Sequence, residues 1–138
     1  MGSGRLTHFT LPERFKAAMV AHARRELPNE CCGLLLSHKG ALRRLVPMRS
    51  TPAAPDTYFM DPEQQVRVFR QMENRGETLA GIYHSHPKGP VYPSGMDLQL
   101  AFHPTAVYVI ISLENRALPV IRGFVLKDSG FSEILVRP

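Results

Sequence analysis

Tryptophan is absent from this 138-residue chain, and cysteine occurs only as the adjacent pair Cys31-Cys32. That pair lies in a strand-like run, where neighbouring side chains point to opposite faces, so a bridge between them is implausible. A disulfide-stapled scaffold is thereby set aside. Buried thiols in a cytoplasmic chain fit better, and a thiolate ligand or nucleophile is the sharper alternative. No apolar run approaches the ~18 residues of a membrane span, and no apolar stretch near the N-terminus reads as a secretory signal. Acidic residues are in deficit, 12 against 17 lysines and arginines, for a net charge of +5. The basic residues fall in small groups: Arg24-Arg25, Arg43-Arg44, Arg49, and Arg67 with Arg70. None is interleaved with aromatics as in a nucleic-acid motif, so solvated helix and edge-strand faces are the favoured reading. Internal repeats and low-complexity segments are also missing. The length suits one domain, able to bury ~68% of its unfolded surface. Residues 1–8 read as a flexible N-terminus and 9–138 as the domain.

What is present is an alternation of helical and strand-like patterns. Leu11, Phe15, Ala18, Met19 and His22 share a stripe, predicting an amphipathic helix from Leu11 to Leu27 with Pro12 in its first turn. Cys31 to His38 and Ala41 to Arg49 read as strands joined at Lys39-Gly40. Ser50 to Asp56 reads as a loop and Tyr58 to Met60 as a short extended piece. Asp61 is an N-cap candidate for a second helix, with Gln64 at the box position. Val66, Phe69 and Met72 form its expected buried stripe, and Gly76 its end. Leu79 to His84 is apolar and β-prone. A short helix, Met96 to Phe102, precedes Pro104. Three more strands follow: Ala106 to Leu113, Leu118 to Leu126 and Phe131 to Val136, with a last turn at Asp128-Ser129-Gly130. The expected fold class is α/β, a mixed sheet flanked by helices.

One segment carries chemistry. His84-Ser85-His86-Pro87 is followed by Ser94 and Asp97, all within fourteen residues. On a strand, His84 and His86 point to one face. Pro87, Gly89, Pro90 and Pro93 then make a stiff loop that can return Asp97 to the same point. Two imidazoles and one carboxylate are the donor set of a catalytic zinc that leaves its fourth position for water, which it acidifies toward a pKa of ~7. Ser94 has two compatible readings, as the N-cap of a Ser-x-x-Asp capping box and as a hydroxyl facing the site. His8, His22, His38 and His103 lack partners at ligand spacing and read as structural or solvent-facing. A general base is still needed. Glu30, directly before the apolar run Cys31 to Leu36, is the candidate. Spacing alone leaves it open between that task and an ordinary exposed glutamate at a helix–strand junction.

Glu30, the His-x-His-Pro segment, Ser94 and Asp97 together resemble the signature of the JAMM (MPN+) metalloproteases. The similarity spans roughly Phe9 to Val136. It includes Glu30-Cys31-Cys32-Gly33-Leu34-Leu35-Leu36, Gly81-Ile82-Tyr83, and Val107 to Leu113. The small stand-alone bacterial members are the nearest in kind. The resemblance implies the cytidine-deaminase-like architecture of the MPN domain. It also implies zinc held by His84, His86 and Asp97. Glu30 is then the proton shuttle, and Ser94 donates to the developing oxyanion.

Only about nine residues separate Asp97 from the strand at Ala106, leaving no room for the insertions that relatives use on folded ubiquitin chains. An extended C-terminal tail of Gly-Gly type still fits. The small bacterial relatives are associated with ubiquitin-like sulfur carrier proteins, and some release cysteine from the carrier's C-terminus in cysteine biosynthesis. The resemblance therefore implies a zinc peptidase or isopeptidase of a ubiquitin-like carrier. The alternatives are a non-catalytic MPN scaffold, which has no use for the full donor set, and a RadC-like protein linked to DNA. A helix-hairpin-helix-like extension of the RadC kind is not seen. A nucleoside or base deaminase needs His-x-Glu and Pro-Cys-x-x-Cys, neither of which occurs here.

Overall fold

The computed structural model describes residues 6–128 and 130–138. A seven-stranded mixed sheet runs in the order β1-β7-β6-β5-β4-β2-β3. Its strands are β1 (His8–Thr10), β2 (Cys32–His38), β3 (Ala41–Met48), β4 (Thr78–His86), β5 (Val107–Ser112), β6 (Val120–Lys127) and β7 (Gly130–Arg137). The helices are α1 (Glu13–Glu26), α2 (Pro62–Arg75) and the short α3 (Gly95–Gln99). Neighbouring strands are antiparallel except β1 with β7 and β4 with β5. The parallel β4–β5 pair needs a crossover, and that crossover carries α3. Among the described residues no helix is long and apolar enough to cross a membrane.

The alternation of side chains along β2 and β4 divides the core. Cys31, Leu35 and Tyr83 pack with Phe15, Met19 and Ala23 of α1. Cys32, Leu34, Leu36 and Ile82 pack with Val68 and Met72 of α2. Each helix thus covers one face of the sheet, and the period of two assigns His84 and His86 to the α2 face with Ile82. The two thiols lie on opposite faces, free and buried. On the α1 face Tyr83 stands opposite Gly33. Its ring fills the space where a Gly33 side chain would begin, and its hydroxyl meets Nδ1 of the buried His22 at 2.8 Å.

Several sequence expectations are corrected. Pro12 is the N-cap of α1 rather than part of its first turn, its carbonyl accepting from Phe15 and Lys16. Ala18 is exposed, and Phe15, Met19, His22 and Ala23 form the buried stripe. In α2 Val66 is 51% exposed, and Val68 packs inward with Met72. Asp61 caps α2 by accepting from Glu63 N, but the Gln64 side chain accepts from Arg49 N instead of closing a box. Helix α3 stops well before Phe102, because His103 N donates to the Tyr108 hydroxyl at 2.9 Å and the residue before Pro104 disfavours helical backbone. Strand β1 escaped the sequence reading. Its last expected-flexible residue, His8, pairs with Leu135, while residues 1–5 lie outside the described residues. The turn at Lys39-Gly40 is present, both residues having positive φ. Ser129 of the expected last turn lies outside the described residues.

Candidate metal centre and catalytic cleft

β4 is hydrogen-bonded on both sides, to β2 and to β5, and runs through His86. His84 and His86 therefore project from a base that cannot shift register. Asp97 comes from α3, and a reciprocal capping box aims it. Asp97 N donates to Ser94 Oγ at 3.0 Å, and Ser94 N donates to Asp97 Oδ2 at 2.9 Å. The carboxylate then faces both imidazoles, with Oδ1 3.2 Å from His84 Nε2 and Oδ2 3.0 Å from His86 Nε2. The two Nε2 atoms stand 3.2 Å apart. All three residues are buried.

The donor set fits a metal ion. Three donors ~2.0–2.1 Å from one tetrahedral ion stand ~3.3 Å from each other, close to the spacing found. In the neutral ring His86 Nδ1–H donates to the Pro90 carbonyl at 2.6 Å, which puts the lone pair on Nε2, the atom that faces the cluster; only the protonated ring donates from both nitrogens. His84 is stacked on the buried Tyr58, ring centroids 4.8 Å apart. Burial keeps the His84 pKa below its ordinary value, so the ring is neutral and ready to ligate. Burial also works against charge on His86, but hydrogen bonds to Asp97 and Pro90 outweigh it and raise its pKa. For Asp97 burial favours the neutral acid. The hydrogen bonds from His84 and His86 overcome this and hold its carboxyl well below the usual carboxylate range.

Glu30 shares a cleft of 530 Å³ with His86, Ser94, Asp56 and the loop 87–93. Its side chain is only 4% exposed, and Oε1 has no hydrogen-bond partner among the described residues. Burial pushes its pKa up to about 8; His86 opposes this, and Asp97 and Asp56 add to it. The adjoining backbone is tied to β4. Cys31 N donates to the fully buried Ser85 Oγ at 2.8 Å, and Ser85 N donates to Cys31 O at 3.1 Å. Ser94 Oγ accepts the cap bond, so its own O–H remains free to donate into the cleft.

The structure thus brings His84, His86 and Asp97 to one point and sets Glu30 and Ser94 along the same cleft. Two contributors escaped the sequence reading. Ser85 sits between the two histidines on the other face, and its bond to Cys31 follows from the β2–β4 pairing. Tyr58 reaches His84 from a loop, with no local signal beyond being aromatic. The thiols take no part. Burial pushes Cys31 up to about 12 and Cys32 higher still, and Cys32 Sγ points to Met48 O. His22 and His38 bond to Tyr83 and to the Gly76 carbonyl, away from the cluster.

A family model described as prokaryotic homologs of the JAB domain matches residues 12–123. A CysO-cysteine peptidase of Mycobacterium tuberculosis is 39% identical over 118 residues, covering 84% of this chain and 81% of the relative. A desampylase of Haloferax volcanii is 33% identical over 106 residues, covering 72% of this chain and 76% of the relative. A protein from Desulfitobacterium hafniense, solved in solution, has a TM-score of 0.82 at 37% identity, over 92% of this chain and 90% of its own. The family match runs from the N-cap of α1 into β6 and encloses Glu30, His84, His86, Ser94 and Asp97, and the chain belongs to the prokaryotic JAB family of the JAMM/MPN proteins.

Proposed function

We propose that this protein is a zinc-dependent peptidase that hydrolyses the amide bond after the C-terminal Gly-Gly of a small ubiquitin-like carrier protein, and that it releases cysteine or another amine. The observation that carries this reading is the buried His84–His86–Asp97 cluster opening into a cleft that holds Glu30. Two nitrogens and one oxygen suit zinc better than magnesium or calcium. A zinc ion held there supplies Lewis acidity, which polarises a carbonyl and acidifies a water molecule. Glu30 accepts a proton from the attacking water and delivers it to the departing nitrogen. Its raised pKa suits a group that must both take and give a proton near neutrality. Ser94 donates its free O–H to the oxygen that becomes negative as the carbonyl turns tetrahedral. Residues 9–138 are the catalytic unit, and its buried free thiols suit a reducing cytoplasm. The substrate class rests on the relatives named CysO-cysteine peptidase and desampylase and on the short span from Asp97 to β5.

The test is a mass-spectrometric cleavage assay on ubiquitin-like carriers that bear cysteine or a short peptide after Gly-Gly. The expected product ends at Gly-Gly and disappears with chelator and with Glu30→Gln. Intact carriers after incubation with protein carrying one zinc per chain overturn the reading.

A further inference from the structure

Residues 87–93, between β4 and α3, form one wall of the cleft and are anchored at successive positions. Gly89 O accepts from Ser112 Oγ at 2.7 Å, and Pro90 O accepts from His86 Nδ1. Val91 is buried with Ile110 and Phe124. Tyr92 packs edge-on against Phe124, centroids 6.1 Å apart, with the Arg122 guanidinium 5.9 Å from its ring centre. Arg122 in turn pairs with Glu133 at 2.8 Å. Despite this restraint Tyr92 is 51% exposed and lines the cleft. An aromatic with neighbours on one side and its other side open is partly ordered before a ligand arrives, which favours a preorganised contact surface.

Lys88, on the same loop, is the one lysine or arginine along the cleft walls. Among the described residues it forms no ion pair. The other wall carries the acids Glu30 and Asp56. The cleft is therefore polarised, with its single cation beside its exposed aromatic.

We propose that Lys88 and Tyr92 form the leaving-group subsite and select a single α-amino acid with a free carboxylate over the side-chain amine of a protein lysine. This rests on the proposed peptidase activity and specifies its substrate. A Gly-Gly acyl segment has no ionised atom near the scissile bond. A departing α-amino acid carries a carboxylate one carbon from the nitrogen, whereas a lysine side-chain amine has none. Lys88 pairs with that carboxylate, and Tyr92 packs on the side chain. Hydrolysis breaks the C–N bond, forms a C–O bond with water and passes a water proton to the departing nitrogen. The amino acid leaves with its carboxylate intact.

The experiment compares three carriers with zinc-loaded protein: one ending Gly-Gly-Cys, its C-terminal amide, and a Gly-Gly isopeptide on a lysine side chain. The free acid is expected to exceed the amide in kcat/KM by about tenfold, the effect of ~1.4 kcal/mol. The difference lies in KM and shrinks with added salt. Lys88→Met brings the acid-to-amide ratio to near one, and Lys88→Arg keeps it. Tyr92→Ala raises KM for the acid, and Tyr92→Phe does not. Equal cleavage of acid and amide by the wild type, or a ratio unchanged in Lys88→Met, overturns the subsite while leaving the peptidase reading intact. Failure to cleave any of the three removes the peptidase reading and the subsite with it.

Discussion

Glu30 is a carboxylate held out of water beside a cluster that already contains one ionised acid. Its raised pKa follows from that placement, and a glutamine there fills the same volume without a titrating proton. Glu30→Gln is therefore expected to keep its metal, measured as zinc per chain, while hydrolysis falls by about 10²–10⁴-fold. Asp97→Ala is expected to lose metal and activity together. Metal lost along with activity in Glu30→Gln would reassign Glu30 as a ligand. The same residue predicts a pH effect in protein stripped of metal. The folded state holds the Glu30 proton up to about pH 8, while the ordinary value is 4.5. A group whose pKa rises on folding contributes stability in full below its unfolded pKa and loses it as pH rises through the folded one. Relative to Glu30→Gln, the stripped wild type should lose stability between about pH 4.5 and 8. Denaturant midpoints across that range check it, and parallel curves for the two proteins would refute it.

Helix α3 spans only five residues, too few to hold itself in water. Its capping box thus has two tasks, closing the helix and aiming Asp97. Ser94→Ala removes the cap, worth about 1 kcal/mol, and the oxyanion donor, worth about 10²–10³ in kcat. Ser94→Thr caps and donates, and should restore both the kcat and the thermal stability that the alanine loses. The β2–β4 pair gives a second test at this scale. Gly33→Ala must displace the Tyr83 ring, which is anchored by His22, and should cost about 1–3 kcal/mol by thermal denaturation. These elements also show what a sequence can disclose. The i, i+2 histidines, the Ser94–Asp97 box and most strands are local patterns, and each was legible as such. Glu30 was not settled by spacing, because its distance to His86 depends on β2 pairing with β4, a non-local contact. Strand β1 was missed because three residues carry no period, and only pairing with β7 makes them a strand. Val66 and Val68 are equally apolar, and which one faces inward depends on how α2 sits on the sheet.

At the scale of the whole molecule, the proposed zinc ligands come from two elements that the backbone joins only through the loop 87–93. His84 and His86 belong to the doubly paired β4, whereas Asp97 belongs to a helix that has few interactions of its own. An ion bound to all three ties the crossover to the centre of the sheet. Such an ion would bind the folded chain in preference to the unfolded one, which has no preformed cluster, so occupancy would add stability by mass action. At a free zinc concentration 100 times the dissociation constant that gain is about 2.7 kcal/mol. A chelator should accordingly lower the wild-type melting temperature by several degrees, and readdition of zinc should restore it. Asp97→Ala should melt at the same temperature with or without chelator. Hydrogen exchange locates the effect. If the ion ties the crossover to the sheet, chelation should deprotect amides of 94–100 first and leave those of β2 and β5 slow. Uniform deprotection across the sheet would instead mean that the ion acts on global stability without holding α3.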